Sequence, residues 1–253
     1  MAKECERREF LRKAMQLPCS LLLLSLCGPL EVLADEGDGD AESEGQYFGM
    51  GIQVDKCIGC GRCVEACEAE NDVPQEPFYF RTWVERYVFD SEGNATVDSP
   101  EGGIGGFEPL DEDQQGIRSF FVPKLCNHCA NPPCVQVCPV GATYSTRDGV
   151  VLVDKDYCIG CRYCIQGCPY GARYMDPRTK TADKCTFCYH RIRRGLQPAC
   201  VEVCPTQARV FGRVDSRTSP LRRLMRMTHV QILKPHLNTE PRVFYSGIDT
   251  EVR

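Results

Sequence analysis

Four runs of cysteine between residues 57 and 204 constrain the fold of this chain more than any other feature of its sequence. The first and third runs have the spacing C-x2-C-x2-C-x3-C, which places thiolates around cubane iron–sulfur clusters. The second and fourth contain a C-x2-C pair and two later cysteines. The runs are Cys57, Cys60, Cys63 and Cys67; Cys126, Cys129, Cys134 and Cys138; Cys158, Cys161, Cys164 and Cys168; and Cys185, Cys188, Cys200 and Cys204.

The number of cysteines fits four clusters. Of the 19 cysteines in 253 residues, Cys5, Cys19 and Cys27 lie in the first 34 residues, and all others belong to the four runs. At four thiolates per cluster the runs supply four [4Fe–4S] clusters with none left over. A two-residue gap is poorly suited to a structural disulfide. A structural zinc protein is the alternative from another class, because zinc binds C-x2-C pairs, but zinc does not explain three closely spaced cysteines plus a fourth.

Residues 1–34 predict an export signal. The stretch Arg7-Arg8-Glu9-Phe10-Leu11-Arg12-Lys13 resembles the twin-arginine motif, and the apolar run that follows falls short of the ~20 residues of a membrane span. We expect cleavage after Ala34 and a flexible acidic lead-in over residues 35–47. The twin-arginine route moves folded proteins, so clusters can be inserted in the reducing cytoplasm before export. The predicted location is the periplasmic side of the cytoplasmic membrane.

The cysteine runs repeat within the chain. Val54-Asp55-Lys56 before the first run matches Val153-Asp154-Lys155 before the third, and the fourth run repeats the second. Residues 53–145 and 152–212 would be the two copies. The predicted fold is therefore α+β, with two ferredoxin-like dicluster halves from an internal duplication and with loop insertions.

Short strands are expected beside the runs, and short helices inside them. The strands are predicted at Gly51–Val54, Val150–Val153 and Arg209–Gly212, and the helices near Val64–Ala66 and Ile165–Gly167. A proline follows the last cysteine of three runs, where it should stop the helix. The first run has Glu68 at that place. These prolines are Pro139, Pro169 and Pro205.

The spacing of the runs leaves two arrangements open. In dicluster ferredoxins the fourth cysteine of one run binds the cluster of the other run, so paired runs lie side by side. The second run can pair with the third and the first with the fourth. Equally, the first can pair with the second and the third with the fourth.

The chain resembles the four-cluster iron–sulfur subunits of the dimethyl sulfoxide reductase and polysulfide reductase families. Relatives in this group serve formate-dependent nitrite reduction and the periplasmic quinone reductase complex of sulfate reducers. The resemblance rests on the four runs, the twin-arginine start, the stretch Thr179-Lys180-Thr181-Ala182-Asp183-Lys184-Cys185 and the tail Leu237–Tyr245. It covers residues 48–247, which we take as the four-cluster region.

The resemblance implies a pairing of runs and a ligand set for each cluster. The second and third runs form one half, and the first and fourth form the other. The implied sets are Cys57, Cys60, Cys63 and Cys204; Cys185, Cys188, Cys200 and Cys67; Cys126, Cys129, Cys134 and Cys168; and Cys158, Cys161, Cys164 and Cys138.

The resemblance also implies partners. These are an integral membrane subunit that exchanges electrons with quinone and a molybdopterin-family subunit, or else a multihaem cytochrome c. The chain shows no catalytic motif of its own, and its net charge of −5 gives no reason to expect nucleic acid as a partner. The predicted function is electron relay through four [4Fe–4S] clusters. A free soluble polyferredoxin is the alternative.

The residues near the cysteines prompt further expectations. Apolar side chains between the ligands should pack around the clusters. The nearby cations Lys184, Arg162 and Arg173 could raise the reduction potential of a cluster, but the favoured interpretation of each is a solvated surface charge. His128 should donate a hydrogen bond to a cluster or face solvent. The apolar residues are Ile58, Val64, Val135, Val137, Ile159, Ile165, Val201 and Val203.

Two segments lie outside the cysteine runs. An insertion is predicted over residues 81–122, where residues 90–116 have eight acidic residues and no Lys or Arg, as in a mobile loop or short hairpin. A C-terminal extension over residues 213–253 should pack on the cluster region. Within residues 191–226 we expect a helix that docks on its own domain through Leu221, Leu224 and Met225, with its arginines in water. A docking surface for a partner subunit is the alternative.

Overall fold

The computed structural model describes residues 47–76, 78–110, 118–249 and 252. The predicted export signal over residues 1–34 lies outside these residues, as does the lead-in up to residue 46. The described residues belong to one compact unit, Ser43–Arg253.

The described residues form eleven strands and six α-helical segments, most of them short. The closely spaced cysteines leave room for only short strands and helices of one turn beside and within most runs. In chain order they are β1 (Phe48–Gln53), α1 (Arg62–Asn71), β2 (Thr82–Phe89), β3 (Ala95–Asp98), β4 (Ser119–Leu125), α2 (Pro133–Gln136), β5 (Thr143–Ser145), β6 (Val151–Val153), α3 (Tyr163–Gln166), β7 (Arg173–Met175), β8 (Ala182–Lys184), α4 (Tyr189–Ile192), α5 (Ala199–Glu202), β9 (Arg209–Arg213), α6 (Pro220–Met227), β10 (Val230–Gln231) and β11 (Val243–Ser246).

A four-stranded sheet joins the start of the cluster region to its end. Its order is β10-β11-β1-β9. Strand β1 runs antiparallel to β9 and parallel to β11, so that Gly51 lies opposite Val210 on one side and Phe244 on the other. Because β1 leads into the first cysteine run and β9 leaves the fourth, this sheet brings those two runs together.

Two hairpins lie in the middle of the chain. Strand β5 pairs with β6 between the second and third runs, and β7 pairs with β8 between the third and fourth. Helices α2 and α3 pack on each other. The second run therefore lies beside the third.

The prolines and Glu68 control where the helices end. Helices α2, α3 and α5 each last one turn and end before the proline that follows the run, because proline lacks the N–H of a helical hydrogen bond. In the first run Glu68 takes the place of proline. Helix α1 therefore continues past Cys67 and ends only at Asn71, with Asp72 in the left-handed conformation as its cap.

The predicted insertion contains a three-stranded sheet of order β3-β2-β4. Strand β3 runs antiparallel to β2, which makes a hairpin of the first part of the acidic segment. Asp90 closes the turn by accepting hydrogen bonds from the backbone of Glu92 and Asn94. Of the two expectations for residues 90–116, the hairpin is confirmed for residues 90–98, and residues 111–117 lie outside the described residues.

Helix α6 docks on the main sheet as expected. Leu221 and Leu224 are buried against β1 and β9, and the arginines of the helix are exposed. Gly51 makes the close approach possible, since a Cβ atom there would lie 2.5 Å from Leu224 Cδ2. Across the ranges that the structure describes, none of the helices has the length and apolar character needed to cross a membrane.

Candidate metal centres

The first group of cysteines combines residues from opposite ends of the cluster region. Cys57, Cys60 and Cys63 of the first run and Cys204 of the fourth line one cavity. The sheet pairing of β1 with β9 places them there. Burial raises the pKa of Cys57 to about 11, and the Cys63 and Cys204 thiols act in the same direction.

The second group lies deeper in the protein. Cys185, Cys188 and Cys200 of the fourth run and Cys67 of the first line one cavity, and all four are buried. Burial raises the pKa of Cys67, as do the neighbouring thiols of this group. The contact between α1 and α5 brings Cys67 to its partners.

The third group combines the second and third runs. Cys126, Cys129 and Cys134 line one cavity with Cys168. Burial raises the pKa of Cys129 to about 12. Cys126, Cys129 and Cys134 are all buried, so this group and the second form the interior of the molecule.

Of the fourth predicted group, Cys138, Cys158, Cys161 and Cys164, two cysteines pack beside the third group. Cys164 belongs to an apolar cluster that includes Cys134, and Cys158 packs against it. Cys158 Sγ accepts a hydrogen bond from the backbone N–H of Ala182 at 3.5 Å. Cys161 is exposed, which distinguishes this group from the buried ones.

Two of the cysteines that come last in their runs have sulfurs stabilised by backbone N–H groups. Burial raises the pKa of Cys138, but backbone N–H groups, first among them that of Thr143, outweigh it and lower the pKa overall. At Cys204 too, burial raises the pKa, but hydrogen bonds such as that from the backbone N–H of Arg209 outweigh the effect of burial, so the pKa is lowered overall. The turn after each proline thus prepares a thiolate, which is the form that binds iron.

Three buried cations lie among the cysteines. Arg209 Nη2 donates to Cys63 Sγ at 3.3 Å and to Thr82 Oγ1 at 2.8 Å. Arg173 Nη2 donates to Cys134 Sγ at 3.0 Å. Lys184 is 0% exposed, and its Nζ donates to the carbonyl oxygens of Cys185, at 2.8 Å, and of Val151.

The expectation that the nearby cations are solvated is correct only for Arg162, which is exposed. It is wrong for Lys184 and Arg173, which are buried. Burial lowers the pKa of Lys184, and the thiolates of Cys126 and Cys185 act in the opposite direction. A cation buried in this way needs negative charge close by.

Arg209 is a site residue that the sequence prediction missed, although the third and fourth runs share a pattern that contains it. Cys168 and Cys204 are each followed by proline, two variable residues, alanine and arginine. Arg173 and Arg209 thus have the same position relative to the last cysteines of the third and fourth runs. Aligning those two runs with each other beyond their cysteines would have found Arg209.

A polar network supports the second group. Asn71 Nδ2 lies 3.5 Å from Cys67 Sγ and 3.6 Å from Cys188 Sγ. Arg81 holds Asn71 through a 2.9 Å hydrogen bond to Oδ1, and its other end forms a buried salt bridge of 2.8 Å with Asp183. Asn71 is within reach only because helix α1 continues beyond Cys67.

His128 is completely buried and does not face solvent. Its Nδ1 accepts a hydrogen bond from Val151 N–H at 3.0 Å. Burial lowers its pKa, as do the nearby cations Lys184 and Arg173. The ring is therefore neutral and acts as a hydrogen-bond acceptor for the backbone of β6.

The expected apolar packing between the ligands holds for only part of the set. Val64 is buried, and Val135, Ile165 and Val201 are partly buried in the core clusters. The other four side chains point outward, with Ile58 58% and Ile159 65% exposed. They occupy the short loops or the ends of one-turn helices, where the backbone and not the side chain covers the cysteines. The exposed residues are Ile58, Val137, Ile159 and Val203.

The donor sets fit iron–sulfur clusters. In the described ranges, no three His, Cys, Asp or Glu side chains are grouped so as to hold a single metal ion. Three cavities are each lined by three cysteines of one run and one cysteine of another, which is the cross-run ligation of dicluster ferredoxins. Three buried guanidinium nitrogens in the described part also lack an acceptor, which cluster sulfides can supply. They are Arg209 Nη1, Arg173 Nε and Arg81 Nε.

Comparison with known proteins identifies the family. The 4Fe-4S dicluster domain matches residues 117–214 and again residues 56–142. The B subunit of tetrathionate reductase from Salmonella typhimurium is 39% identical over 97% of this chain and 90% of its own length. The B chain of polysulfide reductase from Wolinella succinogenes is 38% identical over 78% of this chain and 92% of its own length. A putative iron-sulfur B subunit of dimethyl sulfoxide reductase from Halobacterium salinarum is 38% identical over 78% of each chain.

These matches confirm the resemblance to dimethyl sulfoxide and polysulfide reductase subunits, and the α+β ferredoxin-like fold. They extend the group to tetrathionate reductases. This protein belongs to the family of 4Fe-4S dicluster electron-transfer proteins that includes the B subunits of tetrathionate, dimethyl sulfoxide and polysulfide reductases.

Proposed function

We propose that this protein binds four [4Fe–4S] clusters and relays single electrons through them. The observation that supports this most strongly is the composition of three cavities, each lined by three cysteines of one run and one cysteine of another. This is the cross-run ligation of dicluster ferredoxins. The proposed ligand sets are Cys57, Cys60, Cys63 and Cys204; Cys185, Cys188, Cys200 and Cys67; Cys126, Cys129, Cys134 and Cys168; and Cys158, Cys161, Cys164 and Cys138. We refer to them as sites 1 to 4 in that order.

Neighbouring sites in this order are close together, which favours a linear relay. Cys200 of site 2 interacts electrostatically with Cys63 of site 1. Cys185 of site 2 interacts in the same way with Cys126 of site 3. Site 3 meets site 4 in the apolar cluster that contains Cys134 and Cys164.

The burial of the sites also suits a relay. All cysteines of site 2 are buried, as are three of site 3, whereas site 4 includes the exposed Cys161 and the cysteines of site 1 are all partly exposed. Electrons would enter and leave at the two ends. The protein contributes cysteine ligands, apolar burial and hydrogen bonds to the sulfurs, and the clusters supply the one-electron chemistry.

The proposed partners are an integral membrane subunit that exchanges electrons with quinone, and a molybdopterin-family subunit. The names of the relatives support a multi-subunit complex, because each is named as one component of a reductase. Two relatives named as the B subunit of tetrathionate reductase favour a partner that reduces sulfur compounds. A multihaem cytochrome c is the alternative partner.

Purification from membranes tests this proposal. The tagged protein, solubilised from native membranes in mild detergent, should co-purify with a molybdenum-containing subunit and a membrane subunit. It should contain about sixteen iron atoms per molecule, four for each cluster. Recovery as a lone soluble iron–sulfur protein would support the polyferredoxin alternative, and a zinc-loaded colourless protein would refute cluster binding. Reduced-dye assays with tetrathionate would then test the substrate of the complex.

Export to the periplasmic side of the membrane is part of the proposal. Arg7→Lys combined with Arg8→Lys should leave the folded protein in the cytoplasm, because the twin-arginine pair is the feature read by that route. The measurement is the distribution of the protein between cytoplasmic and periplasmic fractions. Arg12→Lys is a matched control outside the arginine pair. Unchanged export of the double variant would contradict the prediction.

A further inference from the structure

We propose that Arg209, Lys184 and Arg173 are fixed positive charges placed one at each junction between neighbouring sites, where each raises the reduction potentials of both clusters beside it. The inference rests on the proposed four-cluster relay. On this inference, buried side chains of the protein set the reduction potentials along the relay, and the type of cluster does not.

Arg209 lies between sites 1 and 2. Its side chain is 2% exposed, and Nη2 donates to Cys63 Sγ of site 1. The thiolates that most strongly raise the pKa of Arg209 are Cys63 and Cys200, which belong to sites 1 and 2. One guanidinium group therefore acts on both sites.

Arg173 has the equivalent place between sites 3 and 4. Its Nη2 donates to Cys134 Sγ of site 3, and Nη1 donates to Thr143 Oγ1 at 3.2 Å, as Arg209 donates to Thr82. The thiolates that act on it include Cys134 of site 3 and Cys164 of site 4. The junction between sites 3 and 4 thus has the same contacts, to a cysteine sulfur and a threonine hydroxyl, as the junction between sites 1 and 2.

Lys184 lies between sites 2 and 3, where the two halves meet. Its Nζ donates to the carbonyl oxygens of Cys185, a site 2 residue, and of Val151. Among the thiolates, Cys126 of site 3 and Cys185 of site 2 act on it most strongly. With Lys184 in place, all three junctions of the row contain one buried cation.

The partners of these cations explain why they act on the clusters. Within the described residues, none of the three has a salt bridge to Asp or Glu, whereas the buried Arg81 is paired with Asp183. A buried charge without a counter-charge is strongly unfavourable. The nearby negative charge is that of the cysteine sites, so the cations compensate the clusters and the clusters compensate the cations.

The direction of the effect follows from charge. Addition of one electron changes a four-thiolate [4Fe–4S] site from a dianion to a trianion, with no bond made or broken. A neighbouring buried cation stabilises the trianion more than the dianion, because Coulomb energy scales with charge and the interior screens it weakly. Removing the cation should therefore lower the potential of each adjacent cluster.

The test uses the complete purified protein and four midpoint potentials from an EPR-monitored redox titration. Arg209→Gln, Lys184→Met and Arg173→Gln should each lower two of the four potentials. We expect about a tenfold change in the equilibrium constant for each, which is 59 mV for a one-electron couple. Arg222→Gln, on the exposed face of α6, is the control and should move none.

The pattern of shifts is the decisive result. Arg209→Gln and Arg173→Gln should move complementary pairs, and Lys184→Met should move one member of each pair. Wild-type iron content and four signals with no such shifts would overturn the inference and leave the relay intact. Equal shifts of all four potentials would also overturn it. A wild-type protein without four clusters would instead refute the proposed function.

Arg209→Lys keeps the inference testable if the glutamine variant fails to assemble. It retains the positive charge and loses the planar fork. Potentials close to those of the wild-type protein are expected. The contrary result is a fall in the potentials of sites 1 and 2 by the equivalent of about a tenfold change in equilibrium constant. Since the charge is retained, that result would show that hydrogen bonding and not charge is responsible.

Discussion

His128 and Phe187 stack on each other at the centre of the protein, with ring centroids 3.7 Å apart and an interplanar angle of 24°. Each residue directly precedes the second cysteine of a C-x2-C pair, His128 in the second run and Phe187 in the fourth. Both have positive φ, 42° and 54°. The two halves of the duplication therefore meet through equivalent residues in equivalent backbone conformations.

Phe187→Leu should weaken this contact between the halves. The substitution removes the stacking on His128 and an edge contact with Phe211 at 5.3 Å. We expect a loss of about 1–2 kcal/mol, which is a decrease of about 2–8 °C in the midpoint of thermal unfolding. Phe78→Leu is the control, because Phe78 is 56% exposed. Equal midpoints for the two variants would contradict the prediction.

Asp183→Asn should destabilise the protein far more than Asp215→Asn. Asp183 pairs with Arg81 at 2.8 Å with side chains only 7% and 9% exposed. Breaking such a pair leaves a buried charge and costs about 3 kcal/mol. The Asp215–Arg213 pair at 2.6 Å is 30% and 37% exposed, so its loss should cost below about 1 kcal/mol. Thermal unfolding at one scan rate measures both, and a larger effect at Asp215 would refute the ranking.

Gly61→Ala should disrupt the contact between the first run and the insertion. Gly61 has φ +72°, and a Cβ atom there would lie 2.1 Å from Gly103 O. Gly195 has φ +74°, and a Cβ atom at that residue would meet no atom within 4 Å. Gly195→Ala therefore measures backbone strain alone, about 1–2 kcal/mol. Gly61→Ala should cost about 1–3 kcal/mol more and reduce iron content at site 1; equal effects of the two would contradict this.

Cys204→Ser should affect the same cluster as Cys57→Ser, although the two residues are far apart in sequence. Both line the site 1 cavity. We expect each variant to remove or alter the same one of four EPR signals, and iron to fall by about one quarter, since each cluster holds four irons. Cys138→Ser, at the equivalent position of the other half, should alter a different signal. Loss of the third-run cluster in Cys204→Ser would refute the ligand assignment.

Iron should leave the sites in an order set by exposure. An oxidant with an iron chelator should release iron in two phases, first from sites with exposed or partly exposed cysteines and later from the buried ones. Alkylation followed by mass spectrometry should label Cys161 early and Cys185 and Cys200 late, because only Cys161 of these three is exposed. Simultaneous labelling of the three would show that the cavities open together.

The sequence was sufficient for the features that local chemistry controls. Proline after the last cysteine ended three helices as predicted, and the exception at Glu68 lengthened α1. The burial of Lys184 could not be predicted from local sequence, because a lysine next to a cluster ligand is usually solvated. Only the packing of the two halves excludes water from this side chain. The outward orientation of Ile58 and Ile159 depends in the same way on loop geometry, which spacing alone does not specify.

Because β1 pairs with β9 and β11, the proposed sites are completed at different stages of synthesis. Every cysteine of sites 3 and 4 has left the ribosome soon after residue 168 is made, and the hairpins around them use only nearby residues. Sites 1 and 2 must wait for Cys204 and Cys200, and the sheet beneath them is complete only with β11 at Val243–Ser246. With the proposed ligand sets, a chain that stops before Cys200 therefore contains every ligand of sites 3 and 4 but lacks ligands of both sites 1 and 2.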